Sequence, residues 1–114
     1  MLSLVAMAKV LITDKLSDTG IKILEESCQV DYKPGISAED LNKIIGGYDA
    51  LLVRSQTQAT KELLENAGNL KIIGRAGVGV DNIDVETATE KGIIVVNSPE
   101  GNTIAAAEHT IAMM

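Results

Sequence analysis

The 114-residue chain predicts an α/β domain built on an open five-stranded parallel sheet with helices on both faces. Three observations carry this. Short apolar runs recur at Val10-Leu11-Ile12, Ala50-Leu51-Leu52-Val53, Leu70-Lys71-Ile72-Ile73 and Ile93-Ile94-Val95-Val96. They are continuous rather than alternating, which is the mark of strands covered on both faces. Between them lie segments with helical periodicity and helix start signals.

The elements follow in order. After the first strand, residues 16–27 place Ile21 and Leu24 on one helical face. Gln29-Val30-Asp31-Tyr32 alternates and is predicted as an edge strand. Ser37 opens a helix carrying Leu41, Ile44 and Ile45, with Asp40 three residues on in a variant of the capping box. Thr60 opens the next, with Leu63, Leu64 and Ala67 on its face. Asp84 caps a short helix through Val85 and Ala88 that stops near Gly92. Pro34-Gly35 and Pro99-Glu100-Gly101 are the strong breakers. From Asn102 a capped, Ala-rich helix runs to Met114 and ends without a Gly or Lys stop signal, so the sequence looks cut there. Ile104, Ile111, Met113 and Met114 are then expected to be exposed and to favour self-association or helix swapping.

Composition narrows the function. The chain is 46% hydrophobic and 23% charged, so it is expected to fold. Ten Lys and Arg against 16 Asp and Glu leave a net charge of -6, which disfavours a duplex-binding surface. Tyr32 and Tyr48 are the only aromatics, too few for a base-stacking platform. Cys28 stands alone, so no internal disulfide or zinc cluster is expected, and the residue reads as a small core side chain. A reducing, cytoplasmic setting fits it. No apolar run approaches the roughly 20 residues of a membrane helix, and residues 1–7 lack a basic signal-peptide region and read as a leader.

Ligands of open α/β sheets sit beyond the carboxyl ends of the strands. Here those positions hold Thr13, Asp14 and Lys15; Arg54, Ser55, Gln56 and Thr57; residues 74–79; and Asn97 with Ser98. Both arginines, Arg54 and Arg75, fall at this edge while the lysines are spread along the chain. A rigid guanidinium fork suits carboxylate and phosphate, which points to a small doubly anionic ligand. The competing reading pairs each arginine with an acidic neighbour such as Asp81 or Asp84. Gly74-Arg75-Ala76-Gly77-Val78-Gly79-Val80-Asp81-Asn82 offers backbone amides for an anion nest, or else forms only a tight strand-to-helix turn. Asn82 occupies the place of a third fingerprint glycine, and no Gly-Lys-Ser/Thr follows, so neither a dinucleotide fingerprint nor a P-loop is present. His109 reads as a packed or solvent-facing residue. Asp14 alone does not make a phospho-receiver, since the partner positions read Arg54-Ser55 and Asn97-Ser98.

Lys9-Val10-Leu11-Ile12-Thr13-Asp14, Leu52-Val53-Arg54-Ser55, Gly74 through Asp84, Gly92-Ile93 and Val96-Asn97-Ser98-Pro99-Glu100-Gly101-Asn102 together resemble the start of the D-isomer-specific 2-hydroxyacid dehydrogenase family, in its phosphoglycerate-oxidising branch. The resemblance runs the whole length. It implies NAD-dependent oxidation of 3-phospho-D-glycerate to 3-phosphohydroxypyruvate, the entry step of L-serine biosynthesis, by a cytoplasmic enzyme whose parent is a homo-oligomer. It also implies a flavodoxin-like substrate domain over residues 7–100 and, over 101–114, a linker and the first helix of a Rossmann cofactor domain. By the same resemblance Arg54, Ser55 and Arg75 hold the substrate, and the amides of Ala76, Gly77, Val78 and Gly79 take its carboxylate. Val78 faces the nicotinamide, and Asn102 marks the crossing between domains as a further substrate contact. The family's fingerprint glycines, ribose-binding acid, catalytic His with its Glu partner and substrate-orienting Arg come later in its sequences. No catalytic residue or metal ligand is therefore assigned here, and the 114-residue piece is expected to be inactive alone, binding no NAD stably. Two alternatives remain: a sister dehydrogenase of the glyoxylate/hydroxypyruvate type, and a stand-alone flavodoxin-like anion-binding module.

Overall fold

The computed structural model describes residues 8–77, 79 and 81–112. Its elements alternate as β1 (Lys9–Ile12), α1 (Asp18–Glu25), β2 (Gln29–Tyr32), α2 (Ala38–Ile44), a 3-10 turn (Ile45–Gly47), β3 (Ala50–Val53), α3 (Lys61–Glu65), β4 (Ile72–Ala76), α4 (Val85–Glu90), β5 (Ile94–Ser98) and α5 (Glu100–Ala112). The strands form one parallel sheet in the order β2-β1-β3-β4-β5, a flavodoxin-like α/β arrangement.

The helix starts are local chemistry. Ser17 Oγ accepts from Gly20 N, Ser37 Oγ from Asp40 N, Thr60 Oγ1 from Leu63 N, and Asp84 Oδ1 from Thr87 N. Each satisfies one of the amides that a helix leaves without an internal partner. The bonds from Thr87 hold the Asp84 carboxyl below its usual 3.8.

Strand alternation divides the core in two. On one face Leu11, Leu51, Val53 and Ile73 meet Leu41, Leu63, Leu64 and Ala88 of α2, α3 and α4. On the other, Val10, Ile12, Leu52 and Ile72 meet Leu24 and Cys28 from the α1 side and Ile104 and Ala107 of α5. Cys28 is a buried core residue, as its composition suggested.

Three expectations need correction. Strand β4 begins at Ile72 rather than Leu70 and continues through Gly74, Arg75 and Ala76, which were expected in a loop. Leu70 closes a turn, its N–H bonding to Ala67 O, whereas Arg75 pairs with Val53 and Asn97 on the flanking strands. Strand β5 lies at the edge of the sheet, and its continuous apolar run does not have two-sided cover: Ile94 is 50% exposed. Helix α5 starts at Glu100, through the segment expected to break the chain. Pro99 stands just before the helix, where it sacrifices no hydrogen bond, and its carbonyl accepts from Thr103 N at 3.0 Å.

Helix α5 is also not a bare tail, because Ile104 is 3% exposed and Ala107 is fully covered. A Cβ at Gly20 would run into Ile104 Cδ1, so α1 and α5 approach across a glycine. The side chain of Ile111, residues Met113 and Met114 and the expected leader over 1–7 lie outside the described residues. Among the described residues no helix is long and apolar enough to cross a membrane.

Candidate functional site

The sheet order reverses between β1 and β3, and the loops leaving their carboxyl ends, residues 13–17 and 54–57, meet there. Asp14, only 3% exposed, organises the second loop. Its Oδ2 accepts from the amides of Arg54 (2.7 Å), Gln56 (3.2 Å) and Thr57 (3.0 Å), and its Oδ1 from Thr57 Oγ1 (2.6 Å). Asn82 grips the same loop from the opposite direction, donating Nδ2 to Arg54 O (2.6 Å) and Thr57 O (2.7 Å).

Above the clamp opens a cleft of about 470 Å³ lined by Asp14, Lys15, Leu16, Ser17, Arg54, Ser55, Gln56 and Glu100. The Arg54 side chain is 51% exposed, with Nη1 3.8 Å from Glu100 Oε1. Glu100 also accepts from Ser17, through the amide at 3.3 Å and through Oγ. Its carboxylate therefore sits where an anion in this cleft would find a guanidinium, a hydroxyl and a backbone N–H. Arg54 does have an acidic neighbour, but that neighbour is Glu100 rather than Asp81 or Asp84.

The remaining predicted residues lie elsewhere. Arg75 belongs to β4 and shares the Ile73 side of the sheet, while Arg54 reaches the head of α5 on the other side, so the two arginines are not brought into this one cleft. A Cβ at Gly79 would stand 3.1 Å from Arg75 Nη1, so the glycine leaves room for the guanidinium. Ala76 is buried in β4. Gly77 and Gly79 adopt φ of 138° and 84°, which only glycine takes without strain. The Gly77 amide, however, donates to Ser98 O at 2.8 Å, so it extends the sheet edge rather than facing an anion. Val78 lies outside the described residues. Asn102 is exposed on the first turn of α5 and does not line the cleft.

Of the predicted contacts, Arg54 and Ser55 thus line the cleft, and Ser17 and Glu100 join them unannounced. Ser17 lay within a segment read only for its helical periodicity, and Glu100 was read only as part of a breaker. No cluster of metal-ligating side chains occurs among the described residues. Nor do these residues fit a dinucleotide, because the glycine stretch leads to a six-residue helix and one of its amides is taken by Ser98.

Known proteins place this architecture. The family described as D-isomer specific 2-hydroxyacid dehydrogenase, catalytic domain, matches residues 10–112. Over 108 residues the chain is 57% identical to D-3-phosphoglycerate dehydrogenase of Synechocystis sp., covering 95% of this chain and 20% of the relative. It is 54% identical over 108 residues to the protein of that name in Methanocaldococcus jannaschii, covering 95% of this chain and 21% of the relative. The crystal structure of cofactor (NAD+)-bound 3-phosphoglycerate dehydrogenase from Entamoeba histolytica superimposes with a TM-score of 0.73 at 31% identity, over 95% of this chain and 38% of that one. The chain spans about a fifth of the length of the curated relatives it matches. A family match over nearly the whole sequence, joined to a parallel sheet in the order β2-β1-β3-β4-β5, makes this chain a member of the D-isomer specific 2-hydroxyacid dehydrogenases.

Proposed function

We propose that the chain is the substrate-holding part of an NAD-dependent D-3-phosphoglycerate dehydrogenase, which oxidises 3-phospho-D-glycerate to 3-phosphohydroxypyruvate on the way to L-serine in the cytoplasm. The observation that carries this reading is Arg54, half exposed in a cleft at the sheet's switch point, beside Ser55 and Lys15. A guanidinium on a rigid loop binds phosphate or carboxylate through paired N–H donors, the Ser55 hydroxyl supplies a third, and Lys15 adds positive charge at the rim. Residues 7–100 form the substrate domain, and α5 begins the passage toward a cofactor domain.

The chain's own residues bind and orient the anionic end of the substrate. NAD supplies the hydride acceptor when bound, and no step of that transfer falls to the residues described. A sister activity on a smaller hydroxy acid gains support from one observation, that Arg54 lines the cleft without Arg75.

The test is an NMR titration of the chain with 3-phosphoglycerate and, separately, lactate. 3-Phosphoglycerate is expected to shift Arg54 Nε and the Ser55 amide, with lactate leaving both in place. Arg54→Ala is expected to weaken binding about tenfold or more, the value of a hydrogen bond to a charged group. Equal shifts with lactate would favour the smaller substrate, and no shift with either would refute the reading.

A further inference from the structure

Asp14 and Asn82 come from different parts of the chain, the end of β1 and the segment before α4, and both are buried at 3% and 7% exposure. They converge on the main chain of the same two residues. At Arg54, Asp14 takes the N–H and Asn82 the C=O; at Thr57, Asp14 takes the N–H and the hydroxyl, and Asn82 again the C=O. A surface loop of this length is ordinarily satisfied by water or by one local turn. Here a buried carboxylate and a buried amide are committed to it, each costly to desolvate unless fully paired.

Asn82 is not fully paired. Its Oδ1 is buried and has no hydrogen-bond partner among the described residues, where its amide is held by the two carbonyls of the loop. A retained cost of this kind is characteristic of sites where placement matters more than stability. Its sequence position is equally telling, because Asn82 closes the stretch 74–82 that carries Arg75 and the two positive-φ glycines. One side chain thus ties that stretch to the loop bearing Arg54.

We propose that Asp14 and Asn82 are positioning residues for Arg54: they fix its main chain from both sides, so that its long side chain swings from a set origin into the cleft. The proposal rests on the reading of Arg54 as an anion-holding group. With the peptide released, the guanidinium samples more orientations and binds an anion more weakly, while the sheet beneath is unaltered.

The experiment uses the 114-residue chain, inorganic phosphate as probe, and the Arg54 Nε resonance as readout, with amide exchange reporting the fold. Asn82→Ala is expected to speed exchange at the Arg54 and Thr57 amides and weaken phosphate about fivefold, with protection in β1, β3 and β4 retained. Thr57→Val, a milder change that removes one hydroxyl bond to Asp14, is expected to weaken phosphate about twofold and serves if Asn82→Ala does not fold. Unchanged phosphate affinity in the folded variant, with Arg54→Ala still weakening it, overturns the positioning role alone. If Arg54→Ala itself leaves phosphate affinity unchanged, the anion-holding reading of the cleft falls and the positioning role falls with it.

Discussion

Gly74 of β4 and Thr103 of α5 meet without room for another atom: a Cβ on Gly74 would stand 2.6 Å from Thr103 Cγ2. Thr103 cannot turn aside, because its hydroxyl reaches Ser98 O at 2.8 Å and Arg75 O at 3.2 Å. Gly74→Ala should therefore push the helix off the strand and cost about 1–3 kcal/mol, the usual penalty of overpacking. Urea unfolding of the two chains measures it, and an unmoved midpoint would show that α5 does not seat on β4.

Ile104 tests the same packing from the other direction. It is 3% exposed and belongs to the cluster with Leu24 and Ile72. Ile104→Ala is expected to cost about 2–5 kcal/mol, as for other large-to-small changes in a core. A helix hanging free would lose less than about 0.5 kcal/mol, which thermal unfolding resolves easily.

Tyr48 carries the pH dependence. Burial first, then its hydrogen bond to Asp31 and that carboxylate's charge, push its phenol from 10.0 up to about 12. A folded pKa above the unfolded one gives stability that is whole below pH 10 and is lost as pH rises toward 12. Ultraviolet titration of a Tyr32→Phe chain, in which Tyr48 is the remaining phenol, should show the high midpoint, and Asp31→Asn should lower it. A midpoint of 10 in the folded chain would remove the Asp31 contact from the account.

Glu100 competes with any anion for Arg54 and Ser17. Partly exposed ion pairs contribute about 0.2–1 kcal/mol, so Glu100→Gln should tighten phosphate binding by roughly 1.4- to fivefold. Weaker binding, measured in the same NMR titration, would mean that Glu100 orders the cleft rather than filling it.

Which parts of this were legible in the chain depends on how far each signal reaches. The caps at Ser37, Thr60 and Asp84 are decided within four residues, and all three hold. Strand edges were less legible: β4 gains Gly74, Arg75 and Ala76 because its neighbours offer ladder partners, which no local pattern records. Arg54 and Ser55 stood out as cleft residues because they follow a strand at the switch point. Ser17 and Glu100 did not, since they lie 83 positions apart and meet only once α5 folds back.

The amino-acid order determined the alternation of strands and helices, the parallel sheet and the family, because apolar runs, caps and motifs act through neighbours in the chain. Tertiary structure alone decided that Ile104 is core, that Arg75 is laddered into β4 while Arg54 reaches Glu100, and that Asp14 and Asn82 close on one loop. The physical reason is that facing direction and hydrogen-bond partnership depend on which distant segment arrives opposite, and that is set by packing across the whole sheet.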